Sequence, residues 1–479
     1  MSAIGLIFLP LVAGLMAFLW PSRARALGVT AALGCLALAI HLAVAVSTEG
    51  PWSVAFGGWL PPLGIALFAD GLTVVLLLIS ATVGLGISAY AGAYFGKDNA
   101  RDFWVLWLLL WAALNALFLA ADLFNLYVTL ELASLTAVAL VALAGHRAAL
   151  EAAFNYLLVG LGGSLIYLLG VALNYGRYGV LDLGMLSEVA TNDGVTAIAL
   201  ALMTAGLLLK TAVFPLHFWL PPAHGNAPTP VSAALSALVV KGSLYLILRL
   251  WLDAFPPAVT EASRLLLGLA GALAVLWGSL LALQAERLKG LIAYSTVAQL
   301  GYLILAVPLL GPTASAGVVY LLLAHALAKA SLFLAAGTFA RTAGDDRIET
   351  LAGIGRHQPH AFFGFGFAAA SLIGLPPTGG FVGKWLVLNS ALLQGEWLWA
   401  VVLVIGTLLS AGYLARVLVI AFAASGPADA GHPAVPGVLS LVPLVLGLAS
   451  LGLGMITGPL FALLTVGRPG EVQLMEGFL

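Results

Sequence analysis

Charge is what this sequence has least of. Only 8% of its 479 residues are Asp, Glu, Lys or Arg, while 62% are hydrophobic. An average soluble domain carries about 25% charge. With 19 basic and 20 acidic residues the chain could not cover a soluble surface with water-binding groups, and its mean hydropathy of +1.09 agrees. A soluble enzyme, a nucleic-acid binder and a disordered chain are thereby excluded. Cysteine is nearly absent as well. Cys35 stands alone, which excludes a disulfide framework, a CxxC redox motif and a cysteine-ligated zinc or iron–sulfur centre. No Walker A sequence occurs, and no Gly-x-Gly-x-x-Gly follows a plausible strand. No cofactor and no metal are expected; redox or ATP chemistry would have to come from a partner. Glycine and proline are plentiful instead, with 55 and 23 residues, many inside apolar runs, as transmembrane helices tolerate.

A span needs about 20 mostly apolar residues, and the runs between charge clusters predict an all-α polytopic membrane protein of about fourteen transmembrane helices. Their centres fall near Val12, Leu36, Leu78, Leu110, Leu135, Leu165, Leu207, Val240, Leu273, Leu300, Ala326, Ala370, Val404 and Leu446. The first run, Ile4 to Trp20, has no basic leader and no small-residue cleavage site, so it reads as an anchor. The Pro/Gly-rich stretch from Trp52 to Phe68 reads as an exposed or re-entrant loop. One set of alternate loops holds ten basic residues: Arg23, Arg25, Lys97, Arg101, Arg147, Arg287, Lys289, Arg341, Arg347 and Arg356. The other holds three: Arg177, Arg264 and Arg468. The richer side is the inner one, so both termini are expected outside, in a cell membrane.

Six basic residues remain within spans: Lys210, Lys241, Arg249, Lys329, Lys384 and Arg416. A charge at the bilayer centre costs at least about 2.5–3.5 kcal/mol, so each needs a reason. Arg249 and Arg416 lie near helix ends and are expected to snorkel. Lys210, Lys241, Lys384, Glu131 and His325 are too deep for that, and a functional role is the default. Glu131 is isolated in an apolar helix and needs a partner to stay ionised; Lys210 is the natural one. Such a pair either handles protons or is a static ion pair that fixes helix packing. His325 and Lys329 are four apart and share a helix face, a spacing that suits a relay, although Lys329 could instead snorkel inward. His41, alone in an apolar helix, reads as a hydrogen-bonded core histidine.

Proline breaks two helices. The first break follows Lys210 and contains Pro215, His217, Pro221, Pro222, His224, Pro228 and Pro230; the second, Gly374 to Gly383, contains Pro376 and Pro377 and precedes Lys384. Broken helices at membrane depth free backbone carbonyls beside ions, as in transporters. His217 and His224 are secondary candidates within the first break. The spacing of the breaks fits two five-helix units in opposite orientation, residues 103–255 (helices 4–8) and 256–424 (helices 9–13). They would be flanked by residues 1–102 (helices 1–3) and 425–479 (helix 14 and tail).

The residues around these breaks resemble a known family. Lys210 to Ser232, with Pro-Leu-His, Trp-Leu-Pro, Ala-His and Ala-Pro-Thr-Pro-Val-Ser in order, is similar to the signature of the proton-translocating antiporter-like subunits. These occur in respiratory complex I, membrane-bound hydrogenases and Mrp cation/proton antiporters. Ala293 to Gly301, His325 to Phe333 and Gly374 to Lys384 match the same family, so the resemblance spans helices 4 to 13. It implies a proton relay through Glu131 on the fifth helix, Lys210 on the seventh, Lys241 on the eighth, His325 on the eleventh and Lys384 on the twelfth. The stretch Asp122 to Glu131 resembles the D-type Mrp subunit. The resemblance therefore implies a subunit of a multisubunit complex that exchanges protons for a monovalent cation such as Na⁺, with a complex I-like NADH:quinone oxidoreductase or hydrogenase as the alternative. A non-conducting scaffold on the same fold is a third reading, which the full set of ionisable residues disfavours.

Overall fold

In a bilayer, each backbone N–H and C=O must be satisfied within its own segment, so the apolar runs fold as helices. The computed structural model describes residues 1–309, 311–423 and 435–467. Arg468, the rest of the tail and residues 424–434 lie outside these, as does the side chain of Lys97. Helices α1 (Ser2–Leu19), α2 (Ala24–Glu49), α3 (Gly71–Tyr94), α4 (Lys97–Leu119), α5 (Leu123–Ala142) and α6 (Arg147–Tyr178) come first. A short α7 (Leu183–Val189) leads into α8 (Gly194–Thr211), and α9 (Leu220–Asn226) follows the first break. Helices α10 (Thr229–Ala234) and α11 (Val240–Leu248) join through π-helical turns into one rod, Thr229–Ala254. Then come α12 (Glu261–Gln284), α13 (Leu288–Ala306), α14 (Pro312–Ala343) and a short α15 (Ile354–His357). The second broken helix is α16 (Pro359–Ile373) and α17 (Gly379–Leu393), and α18 (Trp397–Phe422), α19 (Gly437–Gly452) and α20 (Thr457–Leu464) complete the series.

Among the described residues thirteen helices are long and apolar enough to cross a membrane. All the expected span centres fall in helices, and the chain is an all-α polytopic membrane protein. The most apolar windows of α14, the Thr229–Ala254 rod and α13 are 100%, 94% and 89% buried, whereas α1 and α2 reach 33%. The helices that carry Lys241, His325 and Lys329 are therefore the protein's own interior, sheltered from lipid.

Small residues set the closest helix contacts, because without a hydrophobic drive in lipid the backbones must pack directly. A Cβ on Gly206 of α8 would collide with the Gly163 carbonyl oxygen of α6. That approach brings Ser164, next in α6, towards Lys210, one turn on in α8.

Three expectations, for the Trp52–Phe68 stretch, Arg249 and His41, are corrected. Trp52 to Ala69 is no simple loop: β1 (Trp52–Ala55) pairs antiparallel with β2 (Ala66–Ala69) in a hairpin. Arg249 does not snorkel. It is 5% exposed, and its guanidinium forks onto Asp70 at 2.6 and 2.7 Å, with Asp253 at 2.8 Å and Thr73 Oγ1 at 2.9 Å. Arg416 donates to the carbonyls of Leu283 (2.8 Å) and Ala285 (3.2 Å), the electronegative end of α12. His41 is exposed on the outside of α2 rather than held in the core.

The Arg249 cluster carries a stability prediction. Asp70→Ala leaves a buried guanidinium short of its bidentate partner and should cost about 3–5 kcal/mol. The check is the thermal midpoint of the purified protein; an unchanged midpoint would show that Asp253 alone suffices.

Candidate functional site

Glu131 stands on α5 and Lys210 in the last turn of α8. Lys210 Nζ donates to Glu131 Oε2 at 3.2 Å and to Ser134 Oγ at 2.6 Å. Ser164 Oγ donates to the same carboxylate oxygen. The pair that sequence could only nominate is thus in contact, with two hydroxyls completing it.

Lys241 is buried on α11 and, among the described residues, has no carboxylate ion-paired to it. Its Nζ donates to the Ser236 carbonyl and lies 2.5 Å from His325 Nδ1 on α14. Ser236 belongs to the π-helical turn Leu235–Val239. A π-turn disturbs the regular hydrogen-bond ladder, and here its carbonyl receives the ammonium group. His325 Nε2 is buried and makes no hydrogen bond among the described residues.

Lys329, one turn beyond His325, is fully buried, so the alternative of snorkelling is corrected. Its Nζ donates to Ile292 O at 2.9 Å and Ser295 Oγ at 2.5 Å, both on α13. Lys384, on α17 just past the second break, reaches back to the last carbonyls of α16: Leu372 O at 2.9 Å and Ile373 O at 3.1 Å. A helix C-terminus carries roughly half a negative charge, so the break supplies what a carboxylate supplies for Lys210. Thr407 Oγ1 of α18 accepts at 3.2 Å, and Nζ sits 4.3 Å from the Tyr302 ring centroid.

The four lysines are therefore balanced by three devices: a carboxylate, helix carbonyls (at a break for Lys384, in a π-turn for Lys241, within α13 for Lys329), and hydroxyls. Glu131 is the one carboxylate ion-paired to any of them among the described residues. Between Lys210 and Lys241, Thr211 Oγ1 of α8 lies 2.9 Å from Ser243 Oγ of α11.

The two secondary histidines differ in their relation to this chain, and His224 is the one within electrostatic reach of Lys241, Lys329 and His325. His217 stacks on Phe214 with centroids 5.7 Å apart. His224 is fully buried against Phe333 at 4.9 Å, and neither ring nitrogen makes a hydrogen bond among the described residues. Sequence reasoning missed Ser134, Ser164, Thr211, Ser243, Ser295 and Thr407. Ser134, three positions after Glu131, had the signal of helical spacing from a charged residue; the other five had none.

Two cavities open at opposite ends of the bundle. One, of about 750 Å³, is lined by Arg287, Lys289, Arg341 and Asp346 with the Gly225–Thr229 segment of the first break. These basic residues all belong to the richer loop set. The other, of about 580 Å³, is lined by Asp70, Asp182, Arg249 and Asp253 beside the hairpin. Helix α3 joins the two, Asp70 preceding its first turn and Tyr94 ending it.

A buried line of one carboxylate, four lysines and a histidine across broken helices is the construction of an ion-translocating membrane subunit. Residues 120–410 match the family described as NADH:quinone oxidoreductase/Mrp antiporter, transmembrane region, and the chain belongs to that family. It is 37% identical to the N subunit of the NADH-quinone oxidoreductase of Desulforudis audaxviator over 94% of each chain. It is 30% identical to the D-type subunit of the Na⁺/H⁺ antiporter of Bacillus subtilis over 79% of this chain and 77% of that one. A chain in the Mrp complex of Dietzia sp. DQ12-45-1b superimposes with a TM-score of 0.90 at 25% identity, covering 98% of both chains.

Proposed function

We propose that this chain is a proton-translocating subunit of a multisubunit monovalent cation/proton antiporter, with Na⁺ as the exchanged cation. The observation that carries this reading is the buried series Glu131–Lys210, Lys241–His325, Lys329 and Lys384, in which the one carboxylate pairs with Lys210 and the other three amines are held without one among the described residues. A proton entering at Glu131/Lys210 passes by Thr211 and Ser243 to Lys241 and His325, then by Lys329 to Lys384. Beyond Lys210 the amines are held by carbonyls, hydroxyls and His325 rather than by a carboxylate, so each charge repels the next. At about 10 Å and an effective dielectric near 20 that repulsion is about 1.7 kcal/mol. This is comparable to the ~2.3 kcal/mol that 100 mV of membrane potential supplies per charge. Residues 103–255 and 256–424 act as two oppositely oriented units, and the line of charges crosses between them.

A second reading has its own support. The 37% identity to the N subunit of an NADH-quinone oxidoreductase extends over 94% of each chain. It favours the same relay driven in reverse by a redox partner. The test is to isolate the complex through a tag on this chain and reconstitute it. The antiporter reading predicts that a Na⁺ gradient alone acidifies or alkalinises the vesicle lumen. Proton pumping that requires an electron donor and quinone, with no response to Na⁺, would replace it with the second reading.

A further inference from the structure

We propose that three hydroxyls on α18, those of Thr407, Ser410 and Tyr413, relay the proton between Lys329 and Lys384. The inference rests on the proton-translocating reading and supplies a route for a step in which, among the described residues, no Asp, Glu or His joins one lysine to the next. A spacing of three places the hydroxyls on one helix face. Tyr413 is fully buried, and its hydroxyl donates to Ser410 Oγ at 3.1 Å. Ser295 and Gln299 of α13 lie near that hydroxyl. Ser295 Oγ accepts from Lys329 Nζ at 2.5 Å, which starts the ladder. Thr407 Oγ1 accepts from Lys384 Nζ at 3.2 Å, which ends it.

Tyr302 stands beside the Ser410–Thr407 step. Its buried hydroxyl makes no hydrogen bond among the described residues, yet a Cβ on Gly406 would collide with it, and its ring carries the Lys384 ammonium. Gln299 has a different part. Its Nε2 donates at 3.3 Å to Leu372 O, the carbonyl that also receives Lys384. It positions the end of α16, because an amide does not pass protons readily.

Each hop breaks one N–H or O–H bond and forms another. Lys329 ammonium gives a proton to the Ser295 oxygen, whose hydroxyl turns from Ile292 O, its acceptor at 2.9 Å, to release its own proton towards Tyr413. The sequence continues through Ser410 and Thr407 until Lys384 becomes the ammonium. Thr407 donates to Leu403 O at 2.9 Å, and its hydroxyl must turn from that carbonyl to complete the last step.

The test uses the whole complex in vesicles, with assembly judged by recovery of all subunits. Ser410→Ala combined with Tyr413→Phe is expected to slow proton transport about tenfold or more and to raise its solvent deuterium isotope effect, while Ser410→Thr stays near wild type. Wild-type transport by the assembled double variant, where Glu131→Ala and Lys384→Ala abolish it, would refute the ladder and leave the functional reading intact. Wild-type transport by all of these variants would overturn both. Should the double variant fail to assemble, Thr407→Val is compared with Thr407→Ser. A slow valine and a normal serine variant support the ladder; equal rates refute it.

Discussion

Lys241→Met is expected to lower proton transport by about 10²-fold or more while the complex still assembles. The amine lies between the Ser236 carbonyl and His325, and in the proposed path it follows Glu131/Lys210 and precedes Lys329/Lys384. Methionine has a similar length and no charge, so it fills the space and leaves no unpaired ion. The static alternative makes the opposite prediction. If Lys241 only fixed helix packing, exchanging a buried charge for an apolar group of similar shape would be neutral or stabilising, and transport would persist. Measuring rate and thermal midpoint on the same preparation separates the two.

The second large effect concerns Glu131 and Lys210. Glu131→Ala alone leaves an ammonium 7% exposed with only hydroxyl support and should cost about 3–5 kcal/mol. Adding Lys210→Met removes the orphaned charge and should restore most of that stability. Transport should not return, because the first proton-holding pair is gone. A double variant as unstable as Glu131→Ala, or one that transports normally, would contradict the account. Ser134 and Ser164 make the prediction demanding, since both hydroxyls remain in place and could stabilise a lone lysine.

The legible parts of this molecule are those that cost free energy in a bilayer. Glu131, Lys210, Lys241, His325 and Lys384 stood out because isolated charge in apolar sequence is expensive. The two breaks stood out because proline removes a backbone donor. Hydroxyls carried no such signal. Ser134, Thr211 and Thr407 each donate to a backbone carbonyl of their own helix, or sit one turn from a charged residue, and so cost little wherever they fall.

Arg249 was misjudged for a different reason. It lies near a helix end, where snorkelling is the local expectation, but Asp70 is 179 residues away and only the fold brings it there. The hairpin was hidden because its strands have four residues each and flank a Pro/Gly-rich tip. The pairing of Lys384 with the last carbonyls of α16 was half legible. Proline announced freed carbonyls, but the direction in which the lysine reaches depends on how α17 turns back on α16.

The central claim is that protons travel along this buried chain from Glu131 to Lys384. The most direct test is uncoupler-sensitive proton transport by vesicles containing the whole complex with Glu131→Ala or Lys384→Ala. The account predicts that either variant abolishes it in a complex that still assembles. Unchanged transport in both would contradict it.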